Sequence, residues 1–477
     1  MSDYDVIVLG GGAPGEHCAA ALAARGLRVA IVERELVGGE CSYWACIPSK
    51  SLLRPGEAVA GAFDVGATAQ ADVAAALAWR DFMVSGYCEV GLQRWLASRG
   101  IGLIRGAGRL AGTGVVDVGG ARHTAAHIVV ATGSDPVVPA IPGLGELEGV
   151  WGTREATSMK TAPRRLLVLG GGSAGVEIAQ IVRRLGGEAV FSSRAPAACF
   201  PASLRRWARH SLGVALGRDG IELMPGMHAT AARREGEEYG VAFEGGTDLR
   251  GDLLVTTGRR PRVEGIGLET AGVQTGPHGI PVDGHLRAGE RLRAIGDVTG
   301  IWPLTHVGEY EGEVVAANIA GEARPANYEA VPRVTCTDPQ AAAVGVLEGE
   351  YSRTALVSQV PKTATYTHAY AESTGFLTLL SDGERLTGGY ALGPEAGEWL
   401  QQATLAIRAH VPLAVMSDTI QPFAGFAEIY DPALMALRMQ IADMPPPGQA
   451  DGRADREPAA VRPTVRDWRS QAPAATG

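Results

Sequence analysis

Apolar positions along the chain fall in short unbroken runs that stop at glycines. Asp5-Val6-Ile7-Val8-Leu9 runs into Gly10-Gly11-Gly12-Ala13-Pro14-Gly15, and Arg165-Leu166-Leu167-Val168-Leu169 runs into Gly170-Gly171-Gly172-Ser173-Ala174-Gly175. Each copy predicts a buried parallel strand, a G-x-G-x-x-G turn, an amphipathic helix and a second strand. No apolar run is long enough to span a membrane. The start, Met1-Ser2-Asp3-Tyr4-Asp5, lacks the basic residues of a signal peptide, and the apolar run after it leads into a glycine loop. A cytoplasmic protein with no membrane partner is expected.

The repeated glycines have mechanical roles. The first of each loop makes the tight turn, the second lets backbone approach a pyrophosphate, and the third lets helix and strand pack closely, with the helix N-terminus meeting the negative charge. Gly10, Gly12 and Gly15, and in the second copy Gly170, Gly172 and Gly175, are therefore expected to cradle two dinucleotides in two Rossmann-like α/β units. The copies differ where the second strand ends. In the first it ends at Glu33, 23 residues after Gly10, where a carboxylate can accept the hydroxyl hydrogens of an adenosine ribose. Arg34 beside it is a further candidate contact. The same offset from Gly170 gives Ser193, followed by Arg194. A small hydroxyl and a guanidinium suit a 2′-phosphate, which favours NADPH at the second site and leaves NADH as the alternative. Because Arg34 follows Glu33 in the first copy as well, the competing reading of Arg194 is a strand-end surface residue.

Gly38-Gly39-Glu40-Cys41-Ser42-Tyr43-Trp44-Ala45-Cys46-Ile47-Pro48-Ser49-Lys50 follows the first unit. Pro48 and Ser49 mark a helix start, which places Cys46 at the positive end of that helix, where a thiolate is favoured. One helical turn can bring the Cys41 and Cys46 sulfurs within bonding distance. The alternatives are two buried structural cysteines, or a zinc site, for which this segment holds no further ligands. Cys18, Cys88, Cys199 and Cys336 have no such setting and are expected to be ordinary small apolar residues.

Composition narrows the class. A chain of 477 residues suits two to four domains. A net charge of −9 argues against a nucleic-acid partner. Six cysteines in this length are no disulfide framework, so a close pair points to catalysis or metal binding. From about Met444 the chain turns rich in Pro, Ala, Arg and Asp and is expected to be a disordered tail, to which no function is assigned.

With these motifs together, the sequence resembles the class I pyridine nucleotide-disulfide oxidoreductases, the family of glutathione reductase, dihydrolipoamide dehydrogenase and mercuric reductase. The resemblance runs from Asp3 to about Leu437. It rests on the glycine loops, the Gly-Gly-x-Cys-x4-Cys-Ile-Pro-Ser-Lys string, Ala131-Thr132-Gly133-Ser134, Gly258-Arg259-Arg260-Pro261, Ile295-Gly296-Asp297-Val298 and Pro332-Arg333-Val334-Thr335-Cys336-Thr337-Asp338-Pro339. It implies FAD at the first unit, contacted by Gly39, Lys50, Thr132, Gly133 and Asp297, with Asp297 on the ribityl chain, and NAD(P)H at a second unit that ends at Gly258. It implies an FAD domain over 1–150 and 271–330, an NAD(P) domain over 151–270, an α+β interface domain over 331–444 that forms a homodimer, and the tail at 445–477. Cys41 would be the outer thiol that meets the acceptor, and Cys46 the inner thiol stacked on the flavin. Lys50 would sit near the flavin as a buried lysine paired with Glu177.

The sequence departs from the family at one place. Disulfide reductases of the family carry His-Pro-Thr-x-x-Glu near the C-terminus, the histidine protonating the departing thiolate. The matching stretch here is Gln421-Pro422-Phe423-Ala424-Gly425-Phe426-Ala427-Glu428, which puts Phe423 in the place of the acid. General acids contribute about 10²–10⁴-fold, so a conventional small disulfide is expected to be a poor substrate. His306 and His410 are candidate substitutes, each against a structural reading, and Glu428 and Tyr430 are candidate proton donors. Mercuric reductase has a cysteine pair near its C-terminus, whereas no cysteine follows Cys336 here. Dihydrolipoamide dehydrogenase needs NAD and the histidine. Tyr43 and Trp44 replace the usual Asn-Val, either as packing or as an aromatic acceptor site over Cys41. Three functions compete. The first is an NADPH-to-FAD-to-disulfide reductase with an atypical disulfide, thiol-linked or electrophilic acceptor. The second is a flavin-only reductase of a quinone or C=C bond. The third is a redox-responsive binding protein.

Overall fold

The computed structural model describes residues 2–193 and 206–443. Arg194, Cys199 and the stretch from 444 onward, including the expected tail, lie outside the described residues. Two α/β units and a third, antiparallel layer account for the rest.

The first sheet runs in the order Arg287–Gly289, Leu292–Ala294, Ala121–Val130, Tyr4–Leu9, Val29–Glu33, Gly102–Arg105, with Gly108–Leu110 and Val115–Val118 folded off its long strand. Tyr4–Leu9 pairs in parallel with both Val29–Glu33 and Ala121–Val130. It is covered on both faces, so Val6, Ile7 and Val8 are fully buried, and this is why it reads as an apolar run without alternation. Ala13–Ala23 packs on Thr305–Ile319. Gly308 and Gly312, one turn apart on the second helix, allow this contact, since a Cβ there would stand 2.5 Å from Pro14 and 3.0 Å from Cys18. The close approach carries Thr305, the first residue of its helix, to the edge of the first glycine loop.

The second unit is a six-stranded sheet in the order Glu222–Pro225, Glu188–Ser193, Arg165–Leu169, Asp248–Val255, Glu238–Phe243, Ala229–Glu235. Its last two strands are antiparallel additions. Two connecting segments, Ser134–Pro136 and Arg259–Pro261, pair with each other between the units. Ile266 and Leu268 already pack in the first unit's core, so the chain returns there a few residues before Ala271. The third layer is an antiparallel sheet in the order Arg333–Thr335, Gln340–Gly345, Leu386–Gly393, Phe376–Ser381, Tyr351–Leu356. Helices that include Tyr430–Asp443 pack behind it.

One face of the Ser173–Arg184 helix grips the start of this third layer. Ser173 Oγ lies 2.8 Å from Thr335 Oγ1. Glu177 Oε1 accepts the Cys336 N–H at 2.8 Å. Gln180 accepts the Asp338 N–H and donates to its carbonyl, both at 2.8 Å. Arg184 Nη1 donates to Asp338 Oδ2 at 2.8 Å. Positions 173, 177, 180 and 184 share one stripe of a 3.6-residue helix.

Candidate active site

Cys41 lies in the short helix Gly39–Tyr43, and Cys46 opens the nineteen-residue helix Cys46–Asp64. That helix begins two residues before Pro48, so Cys46 is itself part of the positive first turn. Both cysteines are free, half-buried thiols. They form an asymmetric pair. The Cys41 thiol, hydrogen-bonded to Cys46, holds Cys46 well below the ordinary thiol range against the effect of burial, helped by the Thr305 hydroxyl and the Lys50 charge. The same hydrogen bond, with burial, pushes Cys41 far up. The hydrogen bond between the two therefore favours the negative charge on Cys46 and the proton on Cys41. Thr305 Oγ1 stands 3.5 Å from Cys46 Sγ. No local motif marked this residue, which arrives from a strand–turn–helix more than 250 positions downstream.

Lys50 Nζ donates to Glu177 Oε2 at 2.7 Å and lies 3.3 Å from Ser49 Oγ, which in turn donates to the Cys46 carbonyl at 3.3 Å. The expected burial falls on the other partner: the Glu177 side chain is 6% exposed and that of Lys50 44%. Burial works against the Lys50 charge, yet Glu177, Cys336 and Cys46 raise its pKa on balance. Cys336 sits beside this pair with its thiol pushed up to about 11 by burial, consistent with a quiet thiol. Cys88 is exposed rather than packed.

The first glycine loop has the shape of a dinucleotide cradle. A Cβ on Gly10, at φ +110°, would stand 2.2 Å from the Ala131 carbonyl oxygen, and one on Gly15 would stand 2.0 Å from that of Gly10, whereas Gly12 faces open space. The second loop repeats this: Gly170 meets Thr256 O at 2.3 Å, Gly175 meets Thr256 Oγ1 at 2.6 Å, and Gly172 is open. Glu33 accepts the Gly11 and Glu35 N–H groups, each at 2.7 Å and on separate oxygens. Each oxygen keeps a lone pair for a ribose hydroxyl. Arg34 is exposed beside it, and Ser193 is buried at the end of its strand. Ser134 Oγ donates to Asp297 Oδ2 at 2.5 Å and accepts from Arg259 Nε at 2.7 Å. Thr132 Oγ1 donates to the Arg262 carbonyl at 2.8 Å, tying the two connecting segments together. Gly39, Gly133 and Gly258 take positive φ. These residues fit FAD at the first loop and a nicotinamide dinucleotide at the second.

The candidate proton donors resolve differently. Tyr430 is fully buried, its hydroxyl donating to the Trp399 carbonyl and accepting the Ala403 N–H, both at 3.1 Å. It is a core residue and not an acid. Glu428 accepts the Gly425 N–H at 3.2 Å across a short turn. His306 Nε2 lies 2.9 Å from the Pro332 carbonyl oxygen, and His410 Nε2 2.8 Å from Glu329 Oε2. Phe423 is 83% exposed. Tyr43 is buried, and Trp44 packs against Arg154 and Tyr87, so both aromatics are packing rather than an open acceptor surface. Among the described residues, no group of three or more His, Cys, Asp or Glu is arranged to hold a metal ion, and no helix is long and apolar enough to cross a membrane.

A parallel-sheet dinucleotide cradle with an asymmetric thiol pair at its mouth defines a flavoprotein of the disulfide-reductase class. Residues 4–312 match the pyridine nucleotide-disulphide oxidoreductase family, and residues 331–433 match that family's dimerisation domain. The chain is 34% identical over 462 residues to a dihydrolipoyl dehydrogenase of Thermus scotoductus, covering 92% of this chain and 98% of the relative. It is 30% identical to a mercuric reductase of Staphylococcus aureus, covering 89% of this chain and 81% of the relative. In fold it is similar to the Cu(II) complex of the HOCl-induced flavoprotein disulfide reductase RclA of Escherichia coli, with a TM-score of 0.81 at 23% identity, over 92% of this chain and all of that one. The chain belongs to the pyridine nucleotide-disulphide oxidoreductase family, whose members are FAD-dependent enzymes with NAD(P)H as electron donor.

Proposed function

We propose that this protein is a homodimeric, NADPH-dependent reductase that works through Cys41 and Cys46 on an acceptor able to dispense with a histidine acid. Bound FAD supplies the relay of two electrons from the nicotinamide to sulfur. Cys46, kept as a thiolate by Cys41, Thr305, Lys50 and its helix N-terminus, is the sulfur assigned to the flavin side. Cys41 is assigned to the acceptor.

The observation that carries this reading is the geometry around the pair, with Cys46 in the first turn of its helix, Thr305 Oγ1 3.5 Å from its sulfur and Lys50 held by Glu177, together with Phe423 at the acid's place in the sequence. Cys46 takes the Cys41 proton as Cys41 attacks an acceptor disulfide, which forms a mixed disulfide and expels a first thiolate. Cys46 passes that proton to the expelled thiolate and attacks the Cys41 sulfur, closing the Cys41–Cys46 bond and expelling a second thiolate. With Phe423 at the acid's place in the sequence, the pair supplies one proton for two leaving thiolates, and one of them leaves unprotonated. Acceptors with low-pKa leaving thiols, or electrophiles that need no leaving group, are favoured on that ground. Steady-state turnover of Cys41→Ser with NADPH and a panel of thiol, quinone and enone acceptors tests the assignment. Loss of turnover is expected. Wild-type turnover would move the chemistry to the flavin alone, with a quinone or C=C acceptor.

A further inference from the structure

The redox loop is gripped from outside by the short helix Thr153–Thr157 at the entrance to the second unit. Arg154 lies at the centre of the contact. Its Nε and Nη2 donate to Glu40 Oε1 at 2.8 and 2.5 Å, and its Nη1 and Nη2 donate to the two Glu35 oxygens at 2.7 and 3.0 Å. Its guanidinium carbon sits 4.1 Å from the centre of the Trp44 ring, which also stacks with Tyr87 at 6.3 Å between ring centres. Thr157 Oγ1 donates to the Trp44 carbonyl at 2.9 Å. Glu40 immediately precedes Cys41, and Trp44 stands two residues before Cys46, so one helix holds both ends of the loop. That helix is fixed in turn by the fully buried Arg80, which donates to the Thr157 carbonyl and, at 2.8 Å, to that of Met159.

Isolated surface ion pairs contribute little. This one is forked on two carboxylates and stacked on an indole, a geometry that guanidinium matches and ammonium does not. Among the larger electrostatic influences on the two thiols are Lys50, Glu177 and Glu309, whereas the contacts of Arg154 are to Glu35, Glu40 and Trp44, so its role is assigned to the loop. We infer that Arg154, with Trp44, is a positioning residue that holds Cys41 and Cys46 at bonding reach and so sets the stability of their disulfide. The inference rests on the reading of the pair as redox-active. Pinning the loop keeps the effective concentration of one sulfur at the other high, which favours the closed bond.

The test uses full-length, FAD-loaded protein equilibrated in buffers of oxidised and reduced dithiothreitol. Oxidation of the pair forms one Cys41–Cys46 bond. It passes two electrons to oxidised dithiothreitol, whose own S–S bond breaks and whose sulfurs take up the pair's one proton and a second from solvent. Free thiols at the two positions are counted by maleimide tagging and mass spectrometry, a readout independent of turnover. Arg154→Ala is expected to shift the equilibrium about tenfold toward the dithiol, about 30 mV for a two-electron couple. Trp44→Ala should shift it the same way, Trp44→Phe should stay near wild type, and Arg154→Lys should fall between. If Arg154→Ala does not fold, the Trp44 pair of variants decides. A wild-type pair that titrates while Arg154→Ala and Trp44→Ala stay within about twofold of it overturns the inference. A wild-type pair that does not titrate overturns the redox reading itself, and this inference with it.

Discussion

Thr305→Val removes the hydroxyl that touches both thiols and keeps the shape of the side chain. The fold should tolerate it: Thr305 opens its helix without a side-chain cap bond on Leu304, and valine and threonine have similar helix propensities. The electrostatic effect has a definite sign, because the hydroxyl lowers the pKa of Cys46 and of Cys41 alike. Its loss raises both. Hydrogen bonds to charged acceptors are worth about 1.5–3 kcal/mol. At 3.5 Å from sulfur, and shared between two sulfurs, this one should supply about 1 kcal/mol or slightly less. At 1.36 kcal/mol per unit, that moves the Cys46 titration up by about 0.7 unit. The assay is the pH dependence of alkylation by iodoacetamide in the reduced protein, with modification at Cys46 separated from that at Cys41 by peptide mapping. A profile for Cys46 that stays in place, or moves to lower pH, refutes the assignment of Thr305 as a stabiliser of the thiolate.

Glu311 is fully buried, and burial pushes its carboxyl up to about 7. A raised acid gives full stability below its unfolded pKa, about 4.3, and loses it as pH rises through about 7. Glu311→Gln can still accept the Gly296 N–H and can donate to Tyr328. It should therefore abolish this dependence and gain up to about 3 kcal/mol over wild type near pH 8 in urea unfolding, whereas flat wild-type stability from about pH 5 to 8 contradicts the claim. Phe423→His is expected to raise glutathione or lipoamide turnover by at least about tenfold. Turnover that stays at background means that position 423 does not face the thiols, or that the pocket excludes those substrates. For the second glycine loop, kcat/KM should be higher with NADPH than with NADH, and a preference for NADH would remove the role given to Ser193 and Arg194.

The two strand–glycine–helix units were legible in the sequence because each is written in one continuous stretch: an apolar run, three glycines with separate steric duties, and a helix. The helix behind Cys46 was legible for the same reason, although Pro48 marked its third residue and not its first. Residues that act from a distance were not. Thr305 reaches the sulfurs because Gly308 and Gly312 admit its helix to the first loop, a contact between segments hundreds of positions apart. Arg154 and Arg80 carry no local signal at all. Trp44 was open between two readings until its neighbours were known. Tyr430 had the right chemistry for an acid at the right place in the sequence. Only packing shows that its hydroxyl is spent on Trp399 and Ala403.

The Ser173–Arg184 helix begins at the second glycine loop and ends on Asp338. A rigid rod bolted at four points to the antiparallel layer leaves no hinge between that layer and the nicotinamide unit. Any swing of the donor-binding half must therefore drag the subunit contact surface along with it.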